Sequence, residues 1–451
     1  MRDYAIFGIV IACFVVSLRK PYIGFLCWIW LSMMTPHKLA YGFVVDMPVA
    51  QICMIGLLIG TLIYREKGNP FQHGLAIMQM LFYLWTAATT ALAIFPESSW
   101  VGFDKFSRIM LGIFLSYILV ASIEKLKWLM WVIYLSIGYY GIKGGLFTLR
   151  TGGANRVWGP DTSFIADNNA LACALLMIMP LGFYLMTIST DKRINMFLVV
   201  SLGLIGVSVL GSNSRGAFVG LLAMLLFWMR KVPGKQKILA ALVAVFIGFI
   251  AVAFMPESFW NRMDTVNTYE QDASAMGRIN AWWCAFNLAK DRPFGAGFDY
   301  ASRYAFSLYA PNPNDVHTAH SIYFQVIGDH GFIGIFMFLI VLLWTWLLLG
   351  KIIKDSQKEK ELAWANHLAR MLQLSLISYM TAGAFLSLSY YDLYWQISAI
   401  AVILNRLVQN EKKGATFAAH QTSQPSDATK GQPKPFVKPV APVGANADTT
   451  L

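Results

Sequence analysis

The sequence is short of charge. Only 13% of its 451 residues are Asp, Glu, Lys or Arg, and 24 of them are acidic. Soluble domains carry roughly 25% charged residues, so a water-soluble globule is excluded as the account of the whole chain. Cysteine is scarce too. There are five, none in a Cys-x-x-Cys spacing; Cys13, Cys27, Cys53 and Cys173 lie in apolar runs and Cys284 stands alone in a polar stretch. That excludes a disulfide framework and a thiolate metal centre, and leaves small buried hydrophobes. No fixed-period repeat and no soluble catalytic domain are evident. No cleavage-type sequence follows Tyr4–Leu18, so the first apolar run is expected to stay. The net charge of +12 comes without a basic folded domain to hold it, which argues against nucleic acid as a partner.

What the chain has in quantity is apolar surface. Hydrophobic residues make up 57%, mean hydropathy is +0.53, and there are 15 Trp to anchor at membrane interfaces. Apolar runs follow one another from Tyr4–Leu18 to Tyr390–Leu407, among them Ala166–Ile188, Ile194–Leu210, Gly216–Met229, Ile238–Met255, His320–Gly350 and His367–Leu388. At the length a spanning helix needs, they predict an all-α integral membrane protein of about 12 crossings. The first two runs are short and predict a hairpin with one arm not fully across.

The basic loops Arg65-Glu-Lys67, Lys125 with Lys127, Lys192-Arg193, Arg230–Lys237 and Lys351–Lys360 all fall on one side of such a bundle. That side is expected to be cytoplasmic. Thr148–Ile165, Gly211–Arg215 and Pro256–Ala319 then lie outside. The organisation predicted is a transmembrane domain over 1–408, with an external loop over 256–319 that contains short helices. A disordered cytoplasmic tail over 409–451 follows, rich in Ala, Pro, Thr, Lys and Gln.

Candidate chemistry gathers on the external side. Gly211-Ser-Asn213-Ser214-Arg215 is a tight turn between two apolar runs. Arg215 breaks the charge pattern there, and a cation at membrane depth costs about 2.5–3.5 kcal/mol on insertion scales. An anionic ligand would offset that; the alternative is an Arg snorkelling to lipid phosphate. Met276-Gly-Arg278-Ile-Asn-Ala-Trp282-Trp283 reads as a short amphipathic helix over Ile279–Ala289, with Trp282, Phe286 and Ala289 on one face. Arg278 at its N-terminus would make a phosphate site; an interfacial helix with incidental charge is the other reading. His317-Thr-Ala-His320 has helical spacing, so the two rings are expected to share a face.

With Asp315 that pair could hold a metal, but the external loops lack a DxD-type acidic pair. The preferred role is instead His320 as a general base that opens a helix. The helix dipole and nearby arginines would keep it neutral. Arg156, Asn213, Ser214, Arg292 and His317 are the further candidates for contact with phosphate or sugar, and no metal site is expected. Asp167-Asn-Asn169 caps or binds at a helix start. Arg108 and Lys143 lie within apolar runs and are expected to face the bundle interior, with Asp392 a partner for one of the buried cations.

The order of these features resembles the bacterial O-antigen ligase and polymerase superfamily. Gly211-Ser-Asn-Ser-Arg215-Gly-Ala, then Gly-Arg278 with Trp282 and Pro293-Phe-Gly-Ala-Gly, then His320 stand in that family's order. His320-Ser321, nine residues, and Gly331-Phe-Ile-Gly334 is similar to the ligase signature. Pro36–Phe43 with Arg156-Val-Trp-Gly-Pro160 resembles the branch called O-glycosylation ligases. Val219 departs from the pattern, where ligases often have Leu.

The resemblance implies a membrane glycosyltransferase of the bacterial inner membrane with a large periplasmic loop over its active site. It implies transfer of a glycan from undecaprenyl pyrophosphate to lipid A-core, with Arg215 and Arg278 on the pyrophosphate and His320 as catalytic base. No cofactor is implied, because the donor is already activated; the partners are the lipid-linked donor, the lipid A-core acceptor and membrane lipids. A polymerase, a protein O-oligosaccharyltransferase of the same superfamily, and a transporter of lipid-linked sugars are the alternatives.

Overall fold

The computed structural model describes residues 2–65, 68–231 and 273–423. The expected run Ile238–Met255 and the start of the external loop, 256–272, lie outside the described residues, as does the chain after Ser423. Everything below concerns the compact unit Met1–Val408.

The described residues form helices and no strands. In chain order they are α1 (Arg2–Arg19), α2 (Pro21–Met34), α3 (Val49–Tyr64), α4 (Gly74–Ala91), α5 (Pro96–Leu119), α6 (Ile123–Thr151), α7 (Asn168–Ile188), α8 (Lys192–Gly211), α9 (Arg215–Lys231), α10 (Ala273–Asp291), α11 (Arg303–Tyr309), α12 (Ile322–Ser356), α13 (Ala363–Ala382) and α14 (Asp392–Ser423). Local chemistry places their ends. Pro21 and Pro96 sit in first turns, where a missing N–H costs nothing. Ser122, Asp167 and Asp191 accept from the orphan amides of α6, α7 and α8. Lys20-Pro21 divides α1 from α2, which pack on each other as the expected hairpin.

Three of these helices are long and apolar enough to cross a membrane: Asn168–Ile188, Lys192–Gly211 and Ile322–Ser356; Pro21–Met34 and Val49–Tyr64 are apolar but shorter. The figure of about 12 crossings is therefore not established by the described helices. α7 is the hub: it is buried along most of its length and packs against α6, α8, α9 and α13. Lys143 is exposed and does not face the interior as expected, its long aliphatic stem carrying the charge outward. Arg108, bridged to Asp104, opens into a cavity among α2, α3 and α5. α14 continues past the change in composition at Val408 to Ser423, through Gln, Glu, Lys and Ala, which are good helix formers.

α12 is broken. Gly331 has φ 69° and ψ −167°, so the ladder is interrupted between its two parts. The freed groups are taken up locally. Ala296 N donates to Gly328 O at 3.0 Å, Gly297 N to Asp329 O at 2.8 Å, and Trp85 Nε1 to His330 O at 3.0 Å. The Asp329 carboxylate accepts from Tyr300 N at 3.0 Å and Tyr390 Oη at 2.8 Å. Pro293-Phe-Gly-Ala-Gly297 is thus a splint on the broken helix. Only glycine fits at Gly331, since a Cβ would lie 1.8 Å from Pro293 O.

Candidate active site

Three segments converge on one face of this bundle. The first is the turn between α8 and α9. Gly211 lies so close to Thr148 that a Cβ would come 2.0 Å from its Oγ1. Asn213 takes the left-handed conformation, φ 55°. Buried Ser214 accepts from Ala217 N at 3.2 Å and so caps α9. Arg215 is then the first residue of α9 and half-buried. The turn is held from two sides, by Asn168 Nδ2 on Ser212 O at 2.7 Å and by Val157 N on Gly211 O at 3.2 Å.

The second segment is α10. It is helical from Ala273, the first described residue there, and so well ahead of the expected Ile279. Arg278 therefore stands beyond its first turn and not at its N-terminus. Its buried face is Ala281, Cys284, Ala285, Leu288 and Ala289, while Trp283 and Phe286 are exposed and Trp282 is half-buried. Trp282 bridges to the third segment, donating to Ala319 O at 2.7 Å and stacking on Phe324.

The third is the approach to α12. His320 lies two residues before that helix, with Ser321 as N-cap, in a left-handed conformation with φ 41°. It does not open the helix, and it shares no helical face with His317. Its backbone N donates to Ser387 Oγ at 2.9 Å. Ser387 belongs to the strap between α13 and α14, and Phe385 of that strap packs against Gly216. One short segment thus ties the start of α9, where Arg215 is, to His320.

Arg278, His317 and His320 open into a cavity of about 570 Å³ with Ser274, Met276, Asn312, Asn314 and Asp315. That is within the size range of small-ligand sites. Arg215 stands outside this lining. Burial pushes the half-buried His320 imidazole below its ordinary value, Arg278 pushes the same way with His317 adding, and Asp167 opposes. A neutral imidazole follows at pH 7, which is the form that accepts a proton. His317 is exposed and pairs with Asp315 at 2.7 Å. Its ring lies close to Gly277, where a Cβ would come 2.6 Å from it.

One residue that sequence reasoning did not assign and one it read as a cap or a ligand contact shape the site. Asn280 grips the opposite wall, donating to Asn312 O at 2.8 Å and Asp315 O at 2.9 Å, and accepting from Asn312 N at 2.9 Å. Its only signal was its place beside Arg278. Asp167, read as a cap, does cap α7 and also faces His320. Two candidates are placed elsewhere. Arg292 donates to Leu92 O at 3.0 Å, at the end of α4. Arg156 is exposed on the segment before α7, next to Val157. Among the described residues no group of three His, Cys, Asp or Glu side chains is arranged to hold a metal ion.

Comparison with known families agrees with the motif order. Residues 198–339 match the family described as O-Antigen ligase, a stretch that includes Arg215, Arg278, His320 and the Gly331–Gly334 pair. The match supports an O-antigen ligase-like character for that stretch. Residues 1–190 match a family of unknown function (DUF5935). A search of curated proteins found no match.

Proposed function

We propose, taking the O-antigen ligase-like character of residues 198–339 as premise, that this multi-pass membrane protein is an inverting glycosyltransferase. It moves a glycan from undecaprenyl pyrophosphate to lipid A-core at the periplasmic face of the inner membrane. The observation that carries the reading is the cavity shared by His320 and Arg278, with a neutral imidazole beside a guanidinium. In a single displacement the acceptor hydroxyl attacks the anomeric carbon and the bond to the pyrophosphate oxygen breaks. His320 takes the hydroxyl proton. Arg278, with Arg215 from the adjoining helix start, stabilises charge growing on the leaving phosphate; such preorganised charge is usually the largest catalytic contribution. Asn280 and Trp282 hold the cavity walls at α10 and ahead of α12. Arg156, Asn213 and His317 serve as outer contacts, Ser214 acts through the cap of α9, and Arg292 through the end of α4.

The test is transfer by purified full-length protein from an undecaprenyl-pyrophosphate-linked glycan to lipid A-core, read as a ladder on a gel. We expect product with and without EDTA. Product that needs Mg²⁺ or Mn²⁺ would replace the arginines with a metal as the charge-neutralising group. Chain growth on the lipid-linked donor in place of lipid A-core would make the protein a polymerase.

A further inference from the structure

A second cavity, of about 510 Å³, opens between α2, α3, α5 and the segment 162–164. Every residue that lines it except Asp392 lies in the stretch matched to a family of unknown function. Much of its wall is apolar, including Trp28, Met54, Ile109 and Phe164. Lys105 and Arg108 stand three apart on α5 and so on one face. Arg108 is bridged to Asp104 one turn back; Lys105 has no acidic partner among the described residues. Within the lining is Asp392, only 6% exposed. Its Oδ2 accepts from Ser32 at 3.2 Å, while Oδ1 is buried with no hydrogen-bond partner. His37 Nδ1, in the same lining, is also buried without one.

A buried carboxylate oxygen without a donor is costly and calls for one. In the same lining Lys105, without an acidic partner among the described residues and three residues from Arg108, calls for an anion, and the apolar walls call for a tail. A simple anion would satisfy the cations but meet Asp392 as a like charge. A neutral lipid would leave Lys105 unanswered. A headgroup with both a phosphate and free hydroxyls satisfies each group in turn.

We propose that this cavity binds a phosphorylated, polyhydroxylated lipid, with its phosphate on Lys105 and Arg108, a hydroxyl donated to Asp392, and its acyl chains against the apolar walls. The site is separate from the cavity at His320 and does not depend on the reaction assigned there. It gives the region of unknown function a lipid-binding role.

The experiment is equilibrium binding to the purified full chain in an uncharged detergent. The probes are dioctanoyl phosphatidylinositol, dioctanoyl phosphatidate, dioctanoylglycerol and free inositol 1-phosphate. We expect phosphatidylinositol to bind best, phosphatidate next, and the other two at least about tenfold more weakly, one tenfold step being about 1.4 kcal/mol. Lys105→Glu with Arg108→Ala, both exposed and so tolerant of change, should weaken both phosphorylated lipids about tenfold or more. Asp392→Leu should erase the preference for phosphatidylinositol over phosphatidate. Arg278→Ala should change nothing here. Unchanged binding in the Lys105/Arg108 variant overturns the proposal, as does loss through Arg278→Ala. Free inositol phosphate binding as tightly as the lipid would overturn the lipid assignment and make the ligand a soluble sugar phosphate.

Discussion

Two histidines flank the first turns of α12, and their surroundings differ in every respect that matters for chemistry. His320 precedes the helix, is half-buried, opens into a cavity and faces Arg278 and Asp167. His330 is fully buried, with Phe298 edge-on at 4.7 Å, Tyr390 at 5.6 Å and Phe82 at 6.2 Å. Its Nδ1 bonds Thr89 Oγ1 at 2.7 Å. One imidazole can exchange a proton with a ligand; the other fills space and ties α12 to α4. The same side chain is therefore placed for proton exchange or for packing according to access and charge, and experiment can separate the two.

The largest effect should come from His320. His320→Ala should lower turnover about 10²- to 10⁴-fold, the usual worth of a general base, with an unchanged melting curve. Because burial and Arg278 hold this imidazole below its ordinary range, activity that depends on the neutral form should persist into mildly acidic solution and fall only below that range. A rate that keeps rising through pH 7.5 to 8.5 would show that the titrating base is another group, as these lie above the reference imidazole pKa of about 6.5. His320→Gln with near-normal transfer would reduce the residue to positioning.

Arg278→Ala follows, with an expected loss of about 10²–10³-fold, by analogy with removal of one preorganised charge-stabilising donor. Arg278→Lys should recover little, since an ammonium lacks the two-pronged fork that grips phosphate. Full activity in the Lys variant would mean that the site needs positive charge and no particular geometry.

On the packing side of the comparison, His330→Ala should leave turnover per folded molecule near normal. It should destabilise the protein by about 1–3 kcal/mol, because Thr89 loses a partner and the ring leaves a void. Thermal unfolding in detergent reads this directly, and lost turnover at unchanged stability would place His330 in the reaction after all. The smallest effect belongs to His317→Ala. His317 is exposed, and its pairing with Asp315 is a surface contact worth at most about 1 kcal/mol. A loss as deep as that of His320→Ala would make the pair a joint proton relay.

Much of the helix pattern was legible because its signals are local. An apolar run states its own length, and Asp167 announces the start of α7 within one turn. The turn at Gly211–Arg215 was legible for the same reason, and motif order singled out His320 from His317. What escaped was decided by partners distant along the chain. Nothing near Asn280 announces that it will clasp residues 312–315, and nothing near Ser387 that it will fix the backbone of His320. Pro293–Gly297 stood out only by its place in the motif order; nothing near it announces that its amides go to the carbonyls freed at Gly328 and Asp329. The left-handed backbone of His320 is likewise imposed by its surroundings, since a histidine does not select it unaided.

The break at Gly331 has a consequence for length. α12 has 35 residues, and at 1.5 Å per residue they would reach roughly 52 Å if straight. A bilayer core is about 30 Å thick. The part from Phe332 to Ser356 is by itself roughly 37 Å long at the same rise, enough to cross alone. The first nine residues, Ile322 to His330, are surplus to the crossing. They form a separate rigid stub, aimed by one glycine and braced by the Pro293–Gly297 splint, and the chain that leads into the stub carries His320. The direction in which the imidazole points is thereby set by a hinge that needs no lipid to hold its angle.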